Sequence, residues 1–258
     1  MTIKVRVRTP SRLHFTLLDM NGELGRVDGG IGVALEHPHF TITAEQSPHL
    51  RIIGHEASAT EKFAKRFLSH FKLPPTVAIA VHDAIPAHVG LGSRTQLSLG
   101  IASALAKLFK INASVEQMAA VMGRGGTSGI GLAAFKEGGF ILDGGHTFGP
   151  NGVKQKFLPS DACVAPPPPL LMRHQLPEEW SFVTAVPRVA ARIHGEDEKR
   201  LFTQDCPVSG VAVNALCRVV LMKLLPAVVE KDVETFGQAL TTIQEIGFKR
   251  LEIKRQHP

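Results

Sequence analysis

A glycine-containing segment between a predicted strand and a predicted long helix constrains this fold more than any other feature. The strand is expected over Thr76–Val81 and the helix over Thr95–Phe109, with Gly90-Leu91-Gly92-Ser93 between them. Glycine lets a backbone turn sharply and approach a ligand closely. The N–H groups at the start of the helix, together with the helix dipole, favour an anion such as phosphate. The sequence therefore predicts an anion-binding turn in a fold that mixes strands and helices.

Polar side chains follow the two glycines of this turn. Ser93 and Thr95 can cap the helix and donate hydroxyl groups, and Arg94 can form two parallel hydrogen bonds to a phosphate or a carboxylate. An ordinary loop with a capping serine is the alternative interpretation. We predict that the turn binds the phosphate of a substrate through Gly90, Gly92, Ser93, Arg94, Thr95 and Gln96.

A second glycine-rich segment covers residues 123–131, where five of nine residues are glycine. Such a segment loses much chain entropy on folding, so it indicates that the backbone must approach something closely, often an anion. A flexible surface loop is the alternative. The phosphate-binding candidates here are Arg124, Gly125, Gly126, Thr127 and Ser128.

The N-terminal region supplies a third group of candidates. Arg12 can bind phosphate, and we predict catalytic roles for His14, Asp19, Arg26 and Asp28. A single aspartate near glycine is also a common turn residue, so each of these positions is ambiguous alone. The segment Asp143-Gly144-Gly145-His146 is similar, and Asp143 is the candidate metal ligand.

Composition narrows the class of protein. Lys and Arg total 29 and Asp and Glu total 23, a net charge of +6 that suggests an anionic partner. The excess forms no block of like charge, and the chain has no Tyr and one Trp for stacking on bases, so nucleic acid is not expected. Three widely spaced cysteines favour a reducing, cytoplasmic location, and no apolar run reaches the ~18 residues of a membrane span.

The pattern of elements predicts an α+β fold in two domains, residues 1–165 and 166–258. Alternation over Ile3–Val7 predicts an opening strand, and spaced phenylalanines predict a helix over Ala59–Phe71. Prolines at 159 and 166–169 mark the boundary. Beyond it we expect a strand over Trp180–Pro187 and two helices, Val208–Leu225, broken by Pro226, and Asp232–Ile246.

The motifs together carry a resemblance to a known family. Gly90-Leu91-Gly92-Ser93 resembles the phosphate-binding motif of the GHMP kinase superfamily, but Arg94-Thr95-Gln96 replaces its usual second serine and alanine. With Pro10–Phe15, Gly25–Gly32 and Gly123–Gly131, the chain is similar to the β-ribofuranosylaminobenzene 5′-phosphate synthases of that superfamily.

The resemblance implies a GHMP-kinase-like fold, with an N-terminal ribosomal-protein-like domain followed by a ferredoxin-like domain that is incomplete here. It implies transfer of ribose 5-phosphate from phosphoribosyl pyrophosphate to 4-aminobenzoate or 4-hydroxybenzoate, with loss of CO₂ and pyrophosphate. This is an early step of methanopterin biosynthesis that uses Mg²⁺. A homodimer is expected to cover the incomplete domain. An ATP-dependent small-molecule kinase is the main alternative, and an RNA-binding domain and an inactive relative are the others.

Overall fold

A long antiparallel hairpin forms the centre of the computed structural model, which describes residues 3–159, 162–186 and 196–256. Strand β1 (Lys4–Asp19) pairs with β2 (Arg26–Gln46), from Lys4 opposite Glu45 to Asp19 opposite Asp28. The predicted opening strand is confirmed but is much longer than the alternating segment. The strand-like sequences of residues 31–35 and 40–44 are both parts of β2.

The other described strands extend a sheet around β2. They are β3 (Arg51–Gly54), β4 (Val77–Asp83), β5 (Phe140–Asp143), β6 (His146–Thr147) and β7 (Leu170–His174). The order is β3-β4-β2-β5-β7, and β1 and β6 also pair with β2. Strand β3 runs parallel to β4, and the other pairs are antiparallel. The sheet crosses the expected domain boundary at 165/166, a division that stays a prediction.

The described residues before β5 form four helices, which are α1 (Ala57–His70), α2 (Ser93–Leu108), α3 (Val115–Met122) and α4 (Ile130–Lys136). Helix α1 is amphipathic and buries Phe63 and Phe67 in the core, whereas most residues of α2 are buried. Helix α3 begins with a capping box between Ser114 and Gln117 and ends at Gly123, whose φ is 67°. The helices predicted over 59–71 and 95–109 are confirmed within two residues at each end.

The described C-terminal residues form α5 (Glu196–Gln204), α6 (Gly210–Val219), α7 (Leu225–Glu230), α8 (Val233–Gln244) and α9 (Gly247–Gln256). A π-helical segment, Val220–Leu224, joins α6 to α7, so the predicted break at Pro226 is wrong. Pro226 lies in the first turn of α7, where a missing N–H costs little.

The strand predicted over Trp180–Pro187 is also wrong for residues 180–186, and Pro187 lies outside the described residues. The alternating apolar residues have another role there. Trp180 and Phe182 pack on Phe236 of α8, with ring centroids 5.1 and 6.3 Å away. Period-2 alternation indicates which side chains are buried, and a loop can satisfy it as well as a strand.

The run Gly210–Glu230 is apolar and long enough, by length and composition, to cross a membrane. Core helices meet the same criterion, and this run places Leu216, Leu224 and Val228 in the main hydrophobic core. Its outer face exposes Val211, Leu221 and Met222. The expectation that the protein has no membrane partner stays a prediction.

Candidate active site

Two glycines with a left-handed backbone conformation shape the turn between β4 and α2. Gly90 has φ 81° and Gly92 has φ 76°, values that side chains rarely adopt, and Ser93 then begins α2. Within the described residues no side chain caps α2, and its first turn holds no acidic residue. This helix start therefore keeps the polarity that attracts anions.

Arg12 of β1 lies against this turn. Its Nη1 donates to the carbonyl oxygen of Gly90, and its backbone N–H donates to Leu91 O at 3.1 Å. Gly92 has φ 76°, and a Cβ there would also lie 3.0 Å from Arg12 Cγ, so this position favours glycine. The long hairpin thus brings the guanidinium group of Arg12 to the start of α2.

A cavity of about 460 Å³ opens at this place. Three arginines from separate parts of the chain line it: Arg12, Arg94 and Arg124. Three hydroxyl side chains also line it, together with four glycines: Ser93, Thr95, Ser128, Gly90, Gly92, Gly125 and Gly131. Its volume falls in the ~300–1,000 Å³ range of small-molecule sites. The structure therefore brings together most of the predicted phosphate-binding residues, from three regions of the sequence.

The glycine-rich loop, residues 123–129, forms one wall and is itself packed on the other side by residues 163–168. Cβ atoms on Gly125, Gly126 and Gly129 would lie 3.0 Å from Pro167, 2.6 Å from Cys163 O and 3.0 Å from Pro168. Arg124 stacks over the ring of Phe63 with its guanidinium carbon 5.7 Å from the centroid. This loop is packed, which disfavours the alternative of a flexible surface loop.

Three predicted phosphate-binding residues have other contacts. Thr127 donates its hydroxyl to Leu158 O at 2.8 Å, away from the lining of the cavity. Gln96 is buried and donates from Nε2 to Gly131 O at 2.7 Å, which ties α2 to α4. Gly126 packs under Cys163. Their positions support the two loops rather than face the cavity.

Asp28 is buried in a charged cluster. Lys154 Nζ lies 3.0 and 2.9 Å from its two carboxylate oxygens, and His146 Nδ1 lies 2.6 Å from Oδ2. The Asp28 side chain has no exposed area. Its backbone adopts φ 70° beside Gly29, so the strand turns its carboxylate inward.

Asp143 at the end of β5 is buried under the glycine-rich loop. Oδ2 accepts from Gly129 N at 2.8 Å and Oδ1 from Gly145 N at 3.0 Å. Burial raises the pKa of Asp143 to about 6, although the N–H groups of Gly30, Gly145 and Gly129 lower it. Its carboxylate therefore organises two glycine turns.

Asp19 and Arg26 lie at the far end of the hairpin. Asp19 Oδ1 accepts from Asn21 N at 2.7 Å and Gly22 N at 3.0 Å, which forms the turn, and Arg26 is exposed. Asp19 is seven positions after Arg12 along β1, which is roughly 20 Å of extended chain. The structure does not bring these two candidates to the arginine-lined cavity.

His14 lies between Arg12 and Asp19 on β1. Burial lowers the pKa of His14 well below its ordinary value, and the charges of Arg12 and Lys249 lower it further. In the described part of the chain its Nε2 is buried and has no hydrogen-bond partner. His14 is therefore a neutral imidazole, and it does not line the cavity.

The described residues contain no cluster of protein side chains that could hold a metal ion on its own. No group of three or more His, Cys, Asp or Glu side chains among them is placed to hold an ion. Both oxygens of Asp143 accept backbone N–H groups, and both oxygens of Asp28 contact Lys154. These aspartates do not fit the predicted Mg²⁺.

Two residues that the sequence analysis missed are prominent in the structure. Glu56, just before α1, is the acidic residue among the described residues that line the cavity. Lys154 is a buried lysine in the segment after β6. Neither belongs to a motif, since each reaches its position only through the fold.

Comparisons with known proteins agree with the fold. A family profile described as GHMP kinases N terminal domain matches residues 58–139. The structure of Streptococcus pneumoniae phosphomevalonate kinase superposes with a TM-score of 0.62 at 13% identity, over 96% of this chain and 80% of that chain. Homoserine kinase from Cytophaga hutchinsonii gives 0.55 at 16% identity, over 92% and 71%. The protein therefore has the GHMP kinase fold, with an arginine-lined cavity at its glycine turn.

Closer relatives define the family. A protein of Archaeoglobus fulgidus named beta-ribofuranosylphenol 5'-phosphate synthase is 45% identical over 97% of this chain and 79% of its own length. One of the same name from Methanothermobacter thermautotrophicus is 40% identical over 100% and 80%. The chain belongs to the beta-ribofuranosylphenol 5'-phosphate synthase family and is an enzyme of the synthase type. The resemblance drawn from its motifs is confirmed.

Proposed function

We propose that the enzyme transfers ribose 5-phosphate from phosphoribosyl pyrophosphate to a 4-substituted benzoate, in the cytoplasm and as an early step of methanopterin biosynthesis. The observation that carries the proposal is the meeting of Arg12, Arg94 and Arg124 with the uncapped start of α2 around one cavity. A sugar with a phosphate and a pyrophosphate needs several anion-binding groups in a small volume. The names of the relatives support the same product class.

The relatives' name also favours one acceptor. A ribofuranosylphenol carries a hydroxyl group on the ring, so 4-hydroxybenzoate is the acceptor that leads to such a product. An amino group in the same position would give the aniline product instead. We therefore place 4-hydroxybenzoate first and 4-aminobenzoate second.

The chemistry is a substitution at the anomeric carbon. The bond between C1 of ribose and the pyrophosphate oxygen breaks, and its electron pair leaves with pyrophosphate. The ring carbon that bears the carboxylate bonds to C1. The bond to the carboxylate then breaks, CO₂ leaves, and the electron pair restores the aromatic ring.

The residues of the cavity suit the first of these steps. Negative charge grows on pyrophosphate as the bond breaks, and fixed N–H donors with guanidinium groups stabilise it most where the charge develops. Positive charge grows on the ribose ring. Glu56 is the lining carboxylate, among the described residues, that can stabilise that charge.

The direct test combines purified protein, phosphoribosyl pyrophosphate, Mg²⁺ and each acid labelled in its carboxyl group, without ATP. We expect equal amounts of CO₂ and pyrophosphate, with faster release from 4-hydroxybenzoate. Release from neither acid would contradict the proposal. Formation of ADP from added ATP and an alcohol would favour a kinase, the activity named for the structural neighbours.

Replacing Arg94 by alanine tests the cavity. Loss of a charge-assisted hydrogen bond of about 1.5–3 kcal/mol should raise KM for phosphoribosyl pyrophosphate roughly 10- to 100-fold. Arg51→Ala, on the exposed edge strand β3, is the matched control and should leave KM unchanged. Unchanged kinetics in Arg94→Ala would remove this turn from the site.

Replacing Glu56 by glutamine tests the carboxylate. We expect kcat to fall by at least about 10-fold while KM for the aromatic acid changes little, because the charge acts on the developing cation. Glu61→Gln on the exposed side of α1, whose carboxylate pairs with Lys65 at 2.7 Å, is the control. An unaltered kcat in Glu56→Gln would exclude this role.

A further inference from the structure

A buried lysine lies behind the glycine-rich loop. Lys154 is 3% exposed, and its ammonium group contacts both oxygens of Asp28. The same Nζ lies 3.4 Å from Thr127 Oγ1 and 3.5 Å from Leu158 O. A lysine is rarely buried this far unless its charge has a defined partner and function.

His146 also contacts this cluster. Its Nε2 lies 2.8 Å from the carbonyl oxygen of Pro166, and its Nδ1 lies 2.6 Å from Asp28 Oδ2. A carbonyl oxygen only accepts, so Nε2 is the donor in the contact with Pro166. His146 therefore connects Asp28 to the proline segment.

The cluster joins two segments that form the wall of the cavity. Lys154 reaches the glycine-rich loop through Thr127, and His146 reaches the proline segment, residues 166–169, through Pro166. The proline segment in turn packs against Gly125 and Gly129. One buried group of charges therefore fixes both faces of the loop that carries Arg124 and Ser128 to the cavity.

Other ionisable groups face this cluster. Asp143 is one of them, and burial raises its pKa to about 6. Cys163 and Cys206 also lie within reach of these charges, and burial raises the pKa of both thiols, so both stay neutral.

We propose that Lys154, Asp28 and His146 are positioning residues that hold the glycine-rich loop in its anion-binding form, with Thr127 as the link to the loop. This role rests on the proposed function, since the anion is the pyrophosphate of the substrate. The three side chains themselves do not touch the substrate. The sequence predicts a catalytic role for Asp28, whereas in this proposal Asp28 has a positioning role behind the site.

The test measures binding of inorganic pyrophosphate by calorimetry to the folded protein. Lys154→Met removes the charge and the contact with Thr127, and we expect the Kd for pyrophosphate to rise at least about 10-fold. Thr127→Val removes only the link and should raise Kd by a smaller factor. The double variant should be no weaker than Lys154→Met alone, because both changes break one connection. Lys156→Met, an exposed neighbour, is the control.

The readouts separate a positioning role from a merely structural one. A structural role would lower the urea midpoint and leave Kd unchanged among folded molecules, whereas positioning raises Kd and KM for phosphoribosyl pyrophosphate but not KM for the aromatic acid. If Lys154→Met does not fold, Thr127→Val decides, and a wild-type Kd in that variant overturns the proposal. Absence of pyrophosphate binding by the unaltered protein overturns the proposed function and this inference together.

Discussion

Asp143 shows how a single carboxyl group links the stability of the fold to the glycine turns. It is 1% exposed and accepts N–H groups from both turns around it. Hydrogen bonds to the ionised form lower the pKa, but burial outweighs them and the value rises from 3.8 to about 6. The folded protein therefore binds this proton more tightly than the unfolded chain does.

The sign of the resulting pH dependence follows. Between pH 4 and 6 the folded state holds more protons at Asp143 than the unfolded state, so the free energy of unfolding decreases as pH rises through this window. The shift corresponds to about 3 kcal/mol. We expect urea titrations to show wild type losing stability relative to Asp143→Asn from pH 4 to pH 7.

Asp232 is a control for this pH dependence, because its pKa is shifted in the opposite direction. The hydrogen bonds with Thr235 lower the pKa of Asp232, the N-cap of α8, so Asp232→Asn should show no pH-dependent difference from wild type above pH 5. A pH titration of the Asp143 carboxyl carbon, followed by carbon-13 NMR, should give a pKa near 6. A flat difference between wild type and Asp143→Asn from pH 4 to 7 would contradict the assignment.

At the scale of elements, some glycines are needed because the backbone packs closely on a neighbour, and others have open space around them. A Cβ on Gly32 of β2 would lie 2.3 Å from the backbone oxygen of Leu13, so the hairpin closes only around a glycine. A Cβ on Gly237, within α8, would meet nothing within 4 Å. The same substitution should therefore have opposite effects in the two elements.

We expect Gly237→Ala to raise the free energy of unfolding by roughly 0.5–1 kcal/mol, because alanine restricts the unfolded chain and favours helix. Gly32→Ala should lower it by about 2–3 kcal/mol through the clash with β1. Thermal or urea unfolding measures both. A destabilised Gly237→Ala, or a neutral Gly32→Ala, would show that these contacts are placed wrongly.

The elements also show what the sequence could predict. Amphipathic spacing located α1, and the glycine turn located the start of α2, because local pattern and structure agree there. The sequence motifs also predicted most of the arginines and glycines that line the cavity, because these residues lie in short local segments. Local pattern could not locate Lys154 or Glu56, since only long-range pairing brings them to their places. It also could not show that Asp19, at the end of β1, lies away from the cavity that Arg12 lines.

For the whole molecule, the two predicted domains share one hydrophobic core. Phe236 of α8 packs against Phe15 and Phe140 of the sheet, with centroids 6.3 and 6.1 Å away, and against Trp180 at 5.1 Å. Buried residues from the sheet, α1–α3 and α6–α8 belong to the same cluster. The predicted homodimer is a separate question, which light scattering can decide, and it stays a prediction.

A shared core predicts cooperative unfolding of both parts of the chain. Trp180 is the single tryptophan of the sequence and lies at the contact with α8, so its fluorescence reports on that contact while circular dichroism reports on all helices. We expect both signals to change at the same urea concentration. Phe236→Ala should lower the free energy of unfolding by about 3–5 kcal/mol and shift both midpoints together. Val233→Ala, at the exposed start of α8, should shift neither by much. Two separate transitions, with the fluorescence change first, would instead mean that the parts divided near 165/166 fold independently and only dock through Phe236.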